Sequence, residues 1–287
     1  MIYYFLSSFK IYFYRHPFYF VLDYLEKKGY EMENQLSELE LQEKQLKEQR
    51  KKRRKEWIQF FWLALLALTI RSCAFEPYNI PSSSMVPTLL IGDYLFISKY
   101  DYGYSKHSFP FSIPIIPTGR IFNNPPERGD IVVFKVPTDK KTDYIKRVIG
   151  MPGDTLRVVN GRLIINGVEV PREQIGEEDW LTEAGWQRYV RYKETLPNGV
   201  QHDIYEINDF MLLDNTDIWE IPEGHYFMMG DNRDNSQDSR VFGLVPEELL
   251  EGKARLIFYS TNGNGWFFQF WRWTQFLRLE RIFTDIH

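Results

Sequence analysis

The stretch "DTLRVVNGRLIINGVEV", Asp154–Val170, indicates the fold more clearly than any other part of the sequence. It contains two Asn-Gly pairs, Asn160-Gly161 and Asn166-Gly167, each between short runs rich in β-branched residues. Asn-Gly tolerates the positive φ angles that a two-residue hairpin turn requires. The stretch therefore predicts a β meander whose strands are joined by tight turns.

Short runs of β-branched and aromatic residues also precede this meander, as in "GDYLFISKY" (Gly92–Tyr100) and "GDIVVFKV" (Gly129–Val136). No long amphipathic helix pattern follows residue 76. Residues 171–220 are more polar and less patterned than their surroundings. We therefore predict a mainly β fold, with an all-β catalytic domain at 76–170 and 221–287 and an inserted, partly irregular subdomain at 171–220.

The apolar stretch at residues 57–75, "WIQFFWLALLALTIRSCAF", predicts a transmembrane helix. A helix of that length rises about 28 Å, close to the thickness of the hydrocarbon core of a bilayer. An unbroken basic run at residues 51–55 precedes it, and such runs stay on the cytoplasmic side. We therefore expect the chain after about residue 76 to lie outside the cytoplasm.

The first 56 residues predict a cytoplasmic or interfacial helical region. Residues 31–56 are dominated by strong helix formers and contain no Gly or Pro. Residues 1–22 are rich in aromatic side chains but are interrupted by charges, so an interfacial helix fits better than a first membrane span, and both readings stay open. Either reading leaves residues 23–55 inside. The aromatic segment "WFFQFWRWTQFLRL" at 266–279 also suits a membrane interface.

Composition excludes several other classes of protein. The 287-residue chain has a net charge of −4, which gives no general attraction to nucleic acid. Its one cysteine, Cys73, cannot form an intrachain disulfide. No Cys/His cluster suggests a metal site, and we predict no metal and no cofactor.

Three consecutive serines, Ser82 to Ser84, follow the apolar stretch and raise the question of a serine nucleophile. A serine hydroxyl needs a neighbouring base and a pocket that stabilises an anion. Among the five histidines, His225 is the one placed in a definite strand. Lysine is the alternative base, provided that burial lowers its pKa. Lys146, in "DYIKRVIGMPGD", lies in such an apolar strand, although an isolated strand lysine is usually exposed.

The sequence resembles the bacterial type I signal peptidases (leader peptidases), which are membrane-bound serine peptidases with a Ser–Lys dyad. The resemblance covers about residues 57–257 and matches 171–220 only loosely. Four segments match in order: "PSSSMVPTLLIGD" (Pro81–Asp93), "RGDIVVFKVP" (Arg128–Pro137), "YIKRVIGMPGD" (Tyr144–Asp154) and "GDNRDNSQDSRVFGLVP" (Gly230–Pro246).

The resemblance implies a role for each matching residue. Ser84 is the expected nucleophile and Lys146 the general base that takes its proton. Ser82 is expected to help the Ser84 backbone N–H stabilise the oxyanion, and Ser236 to hydrogen-bond and orient the lysine. A polar and ionic network supporting the site is expected from Asp231, Arg147, Asp238 and Arg240.

The resemblance also implies the substrate and the location. We expect removal of signal peptides from exported preproteins, after small residues at positions −1 and −3. The expected partners are preproteins, the lipid bilayer and the nearby secretion translocon, at the bacterial plasma (inner) membrane with the catalytic domain on the extracytoplasmic face. The positions expected to line the substrate pockets are Tyr78, Ile80, Met85, Leu89, Tyr144 and Ile145.

Three alternatives remain at this point. The self-cleaving repressors of the DNA-damage response also use a Ser–Lys pair, but they need a DNA-binding domain, and the first 56 residues show no helix-turn-helix pattern. A second alternative is an inactive, anchored β domain that binds secreted chains or membrane proteins. A third is hydrolysis by a Ser-His-Asp triad that uses His225.

Overall fold

The computed structural model describes residues 17–73, 75–105, 119–182, 185–262 and 276–286. The chain divides into two compact units, residues 1–66 and 67–287. The predicted segments at 1–22 and 266–279 lie largely outside the described residues. The catalytic and inserted domain boundaries stay a prediction.

The described helices and strands are mainly β after residue 74, as predicted. The helices are α1 (Pro17–Cys73) and α2 (Ser239–Phe242), with short 3₁₀ turns at Arg233–Asn235, Glu247–Leu249 and Leu279–Arg281. The strands are β1 (Phe75–Asn79), β2 (Asp93–Ser98), β3 (Ile131–Lys135), β4 (Asp143–Gly150), β5 (Thr155–Val159), β6 (Arg162–Ile165), β7 (Val168–Glu169), β8 (Arg172–Thr182), β9 (Gly185–Thr195), β10 (Gln201–Glu206), β11 (Trp219–Glu220), β12 (His225–Met229), β13 (Val245–Pro246), β14 (Leu250–Ser260) and β15 (Thr284–Asp285).

Helix α1 contains the predicted helical region at 31–56 and most of the apolar stretch that follows it. Strong helix formers such as Glu, Gln, Lys and Leu make up most of its middle. Within the part of the chain that the structure describes, no helix has both the length and the apolar character needed to cross a membrane.

The largest sheet contains eight strands and positions the candidate site. Its strand order is β1-β2-β14-β3-β4-β12-β13, and β15 pairs with β14. Strands β3 and β4 pair antiparallel, with Val132 opposite Lys146 and Ile131 opposite Arg147. Strand β12 covers the other edge of β4. Strand β4 is therefore an interior strand of the sheet, and the side chains of its second half are buried.

One apolar core supports the strands and turn that carry the candidate site. Its buried members include Ile80, Met85, Leu89, Leu95, Ile97, Ile131 and Val133, and Tyr78 and Ile145 pack against it. Burying apolar side chains of this kind stabilises the fold by about 1.5–3 kcal/mol each. The segment that follows β1 is therefore held firmly against the large sheet.

The structure confirms the meander that the Asn-Gly pairs predict. Strands β5, β6 and β7 pair antiparallel in sequence, and β11 adds to the edge of β5. The turn residues Asn160 and Asn166 have φ angles of 49° and 54°, and the glycine after each also has a positive φ. Two neighbouring positive φ angles are what this type of hairpin turn requires.

The segment at 171–220 is more regular than the sequence suggests. Strands β8 and β9 have 11 residues each, and with β10 they form a three-stranded sheet. Cross-strand ion pairs, such as Arg188 with Asp179 and Arg191 with Glu178, join the two long strands. These charged pairs replace the apolar alternation by which a strand is usually recognised, so the sequence pattern missed them.

Candidate active site

Ser84 lies in a tight turn that follows β1. The Ser83 carbonyl accepts a hydrogen bond from the Val86 N–H (3.1 Å), and the Asn232 N–H donates to the Ser84 carbonyl (3.1 Å). The Asn232 side-chain amide also donates to the Ser83 carbonyl (3.2 Å), and Asn235 donates to Ser83 Oγ (2.9 Å). These bonds fix the Ser84 backbone, and 8% of the residue is exposed.

Lys146 projects from β4 to the Ser84 hydroxyl, although the two residues lie 62 positions apart in sequence. Its Nζ is 2.6 Å from Ser84 Oγ and also donates to the Ile145 carbonyl oxygen at 2.8 Å. Lys146 is 3% exposed. A buried amine and a serine hydroxyl are therefore within direct proton-transfer distance.

Burial lowers the pKa of Lys146 to about 8, because the charged ammonium loses its hydration inside the protein. The carboxylates of Asp238 and Asp231 oppose this effect by stabilising the ammonium. Burial is the stronger influence, so the neutral amine becomes accessible near neutral pH. A neutral lysine is the form that can accept the proton of a serine.

Ser82 and Ser236 both line the cleft that contains Ser84. The Ser82 hydroxyl is 3.3 Å from Ser84 Oγ. The Ser236 hydroxyl is buried, but among the described contacts Lys146 donates to Ser84 and Ile145 and not to Ser236. The predicted Ser236–Lys146 hydrogen bond is therefore absent from this arrangement.

Arg147 and Asp231 form a buried ion pair directly beside the dyad. Arg147 Nε donates to Asp231 Oδ1 at 2.9 Å, and Arg147 Nη2 donates to Asp231 Oδ2 at 2.8 Å. Thr88 Oγ1 donates to Asp231 Oδ2, and Arg147 Nη1 donates to the Gly129 carbonyl. Both charged residues are essentially unexposed, and such two-point pairs hold their partners in a defined orientation.

Asp238 and Arg240, the other two residues of the expected network, form a second ion pair. Arg240 donates from Nε and Nη2 to the two Asp238 oxygens at 2.9 and 2.8 Å. Asp238 also accepts from the Gly230 N–H at 3.1 Å, and Arg240 donates to the Arg233 carbonyl. The structure thus joins β12 to the loop that carries Ser236, as expected for a supporting network.

Gly230 is a site residue that the pattern did not single out. A Cβ at this position would lie 2.3 Å from Ser236 Oγ and 2.5 Å from the Ser84 carbonyl oxygen. Both distances are far below ordinary van der Waals contact. Gly230 therefore allows the chain after β12 to pack directly against the Ser84 turn.

A cleft of about 680 Å³ runs past Ser84 and Lys146. Four of the six predicted pocket residues line it, namely Tyr78, Ile80, Tyr144 and Ile145. Met85 and Leu89 are fully buried in the core behind it. Their side chains support the cleft wall rather than forming its surface, because the turn after Ser84 directs them inward.

The two described histidines, His202 and His225, do not line the cleft. His225 Nδ1 is 3.1 Å from the Glu223 carbonyl oxygen, and His225 is not among the described residues that line the cleft. His202, which the sequence placed in a polar segment, is buried on β10 with Nε2 3.4 Å from Glu194 Oε2 and 4.0 Å from Asp231 Oδ1. His16, His107 and His287 lie outside the described residues.

Comparisons with known proteins identify the family of the chain. The sequence model of the family described as "Signal peptidase, peptidase S26" matches residues 54–259. The signal peptidase I of Rickettsia conorii (strain ATCC VR-613 / Malish 7) is 40% identical over 253 residues, which cover 81% of this chain and 93% of the relative. The signal peptidase I of Rickettsia canadensis (strain McKiel) is 40% identical over 251 residues, with the same coverage.

A crystal structure of a signal peptidase I from Enterococcus faecalis V583 is 30% identical and covers 45% of this chain and 97% of its own. Its TM-score is 0.28, so it carries no argument about the fold. The family assignment rests instead on the matched residues and on the curated relatives. Since both extend over most of the sequence, the chain belongs to the signal peptidase I family, peptidase S26.

Proposed function

We propose that this chain is a serine endopeptidase that removes signal peptides from exported preproteins, with Ser84 as nucleophile and Lys146 as general base. The observation that carries the proposal is the 2.6 Å contact between Lys146 Nζ and Ser84 Oγ, two buried residues that line the cleft. The family assignment supports the substrate class, because the matched relatives are signal peptidases.

The first chemical step forms an acyl-enzyme. Neutral Lys146 accepts the Ser84 proton while Ser84 Oγ attacks the carbonyl carbon of the scissile peptide bond. The carbonyl oxygen becomes an oxyanion, for which we propose the Ser84 N–H and the Ser82 hydroxyl as donors. The Lys146 ammonium then gives its proton to the leaving amine as the C–N bond breaks.

The second step releases the signal peptide. Lys146, neutral again, takes a proton from a water molecule that attacks the acyl carbon, and the proton returns to Ser84 Oγ as the ester bond breaks. We propose that Ser236 orients the lysine between these steps, because its buried hydroxyl lies in the same cleft. We also propose that the pairs Arg147–Asp231 and Asp238–Arg240 keep both walls of the cleft in place.

We propose cleavage after small residues at −1 and −3. Ile80, Tyr144 and Ile145 contribute apolar surface to the cleft that contains Ser84, and we propose that this surface admits small side chains and excludes bulky ones. Met85 and Leu89 contribute from behind the wall by packing against Ile80.

The test is to incubate the purified chain with a preprotein and to sequence the new N-terminus of the product. The proposal predicts a single cut that follows a small residue at −1. Changing that residue to phenylalanine should abolish the cut. A protein that leaves the preprotein intact, or that cuts with no regard to the −1 residue, would contradict the proposal.

We further propose that the protein works at the bacterial plasma membrane, anchored by residues 57–75, with the catalytic domain outside the cytoplasm. Every described side chain from 57 to 69 is exposed, and most of them are apolar. A helical segment whose exposed side chains are mostly apolar is favoured by an apolar environment. The basic run at 51–55 supports the orientation, and the supply of preproteins supports a position near the secretion translocon.

A ladder of exposed and half-buried aromatic rings on the large sheet gives independent support for a lipid partner. The rings of Phe75 and Tyr100 are 5.6 Å apart, Phe96 stacks on Phe258 at 4.2 Å, and Tyr94 contacts Tyr259 at 5.4 Å. Tyrosine side chains favour the interface between membrane and water.

The double substitution Leu63→Arg/Leu66→Arg is expected to release the protein from membranes. Each arginine costs about 2.5–3.5 kcal/mol at the centre of a membrane-spanning helix. Carbonate extraction of membranes that contain the full chain measures the effect. The matched control, Leu36→Arg/Leu39→Arg on the polar part of the same helix, should stay in the membrane fraction. Equal retention of both double variants would rule out residues 57–75 as the anchor.

A further inference from the structure

The loop that carries Ser236 contacts both the Ser84 turn and the sheet of β8, β9 and β10. We call this loop, residues 230–238 between β12 and α2, the site loop. Its Asn232 and Asn235 donate hydrogen bonds to the Ser84 turn, as described above. The position of the site loop therefore affects both the nucleophile and the wall of the cleft.

Backbone hydrogen bonds attach the site loop to β10, an edge strand of its sheet. The Tyr205 N–H donates to the Asp231 carbonyl oxygen at 2.8 Å, and Tyr205 and Asn232 form a parallel bridge. Directly after β10, the Ile207 N–H donates to Asp234 Oδ2 at 2.6 Å. The outer edge of β10 thus pairs with the site loop as a further strand would.

A buried ion pair makes a second connection, from the site loop to β9. Arg233 Nη1 donates to Glu194 Oε1 at 3.1 Å, and Arg233 Nη2 donates to Glu194 Oε2 at 2.5 Å. The two side chains are 3% and 1% exposed. A two-point pair of this kind fixes the orientation of its partners as well as their separation. Glu194 is not among the described residues that line the cleft, so its influence on the site passes through Arg233.

Glu194 is charged whenever the dyad can act. Burial raises the pKa of Glu194, but Arg233 and His202 outweigh burial and lower that pKa to about 2. His202 Nε2 lies 3.4 Å from Glu194 Oε2. The pKa of Lys146, about 8, is far higher, so Glu194 stays an anion throughout the pH range in which Lys146 becomes a base.

We propose that Glu194 is a positioning residue of the peptidase reaction: through Arg233 it holds the site loop at the distance from the Ser84 turn that cleavage requires. This inference rests on the proposed function and gives the sheet of β8, β9 and β10 a part in it. A displacement of about 1 Å at a reacting group can cost about 100-fold in rate, so a small shift of the loop has a large effect.

Two conservative variants separate the reach of Glu194 from its charge. Glu194→Asp keeps the charge but shortens the side chain by one methylene group, so the site loop must follow by about 1.5 Å to keep the ion pair. Glu194→Gln keeps the length but leaves the charge of Arg233 unpaired in the interior. Steady-state cleavage of one preprotein gives kcat and KM, and denaturant unfolding gives the stability of each variant.

Positioning predicts opposite orders for kcat and for stability. Glu194→Asp should lower kcat on the order of 100-fold, whereas Glu194→Gln, with its reach intact, should lower kcat less. Glu194→Gln should be the less stable variant, because removing one charge of a buried pair leaves the other uncompensated. KM should stay close to wild type in both, since Glu194 does not line the described cleft.

A double variant tests the route through the site loop. Asn232→Ala removes the side-chain hydrogen bond to the Ser83 carbonyl. In Glu194→Asp/Asn232→Ala, kcat should fall by less than the product of the two single losses, because both act through the same loop. Glu177→Asp shortens an exposed glutamate on β8 that pairs with Arg188, and this matched control should keep the wild-type kcat.

The outcomes separate this inference from the proposed function. If wild type leaves preproteins intact, the proposed function itself fails. If wild type cleaves them and folded Glu194→Asp has the wild-type kcat, the positioning role fails while the peptidase activity stands. A lower kcat for Glu194→Gln than for Glu194→Asp would also overturn it, because activity would then follow the buried charge and not the reach. If Glu194→Gln does not fold, the kcat of Glu194→Asp decides alone.

Discussion

Substituting Lys146 with alanine, or Ser84 with alanine, is expected to abolish preprotein cleavage. The amine and the hydroxyl are 2.6 Å apart, and within the described cleft lining Lys146 is the titratable group in hydrogen-bond contact with Ser84. A nucleophile and its base act as one unit, so losing either should reduce turnover as much as losing both, on the order of 10⁶-fold. Preprotein cleavage followed by gel electrophoresis measures the loss.

The control for this experiment is His225→Ala. The histidine contacts the Glu223 carbonyl and does not line the described cleft, so its loss should leave cleavage close to wild type. A Ser-His-Asp triad predicts the reverse pattern. Normal cleavage by Lys146→Ala would refute the dyad, and the double variant Ser84→Ala/Lys146→Ala should be no worse than either single variant.

Substituting Asp231 with asparagine is expected to lower the free energy of unfolding by about 3–5 kcal/mol. Arg147 would keep its full charge in a position that is 0% exposed, and its two hydrogen bonds to Asp231 would be lost or weakened. An uncompensated charge in the interior is costly because the protein cannot replace the hydration that the group has lost. Denaturant unfolding of the variant and of wild type gives the difference.

Two further variants make this prediction specific. Arg147→Met/Asp231→Asn removes both charges and should be more stable than Asp231→Asn alone, because no buried charge is left unpaired. Asp179→Asn breaks the exposed pair with Arg188 and should change stability by no more than about 1 kcal/mol. If Asp231→Asn and Asp179→Asn lowered the free energy of unfolding equally, the buried pair would contribute no more to stability than the exposed one, which would contradict the prediction.

The sequence predicted those parts of the fold that depend on the backbone preferences of neighbouring residues. Asn160-Gly161 and Asn166-Gly167 determine their turns by their own backbone preferences, so the meander could be recognised without any knowledge of the rest of the chain. Strands β8 and β9 could not, because charged cross-strand pairs hold them together and their pattern resembles a solvated loop. Their stability comes from contacts that a single strand does not reveal.

The sequence predicted some residues of the candidate site and missed others, for a similar reason. Ser84 and Lys146 stand in motifs that resemble the family, and the structure brings them together. Gly230 has no chemistry of its own, and its importance appears only when two chain segments approach within van der Waals distance. Tyr78 was predicted as a lining residue, but the polarity of its surroundings depends on Glu251, which is 173 positions away.

The pH dependence of kcat/KM tests the central claim, that Lys146 acts as a neutral base, most directly. Below the pKa of about 8, Lys146 is an ammonium and cannot accept the Ser84 proton, whereas above it the neutral amine dominates. We predict that kcat/KM for a signal-peptide substrate falls about tenfold for each pH unit below 8 and levels off above it. A rate that stays flat from about pH 6 to pH 9, or that falls only below about pH 6.5 as for an ordinary histidine, would contradict a lysine base.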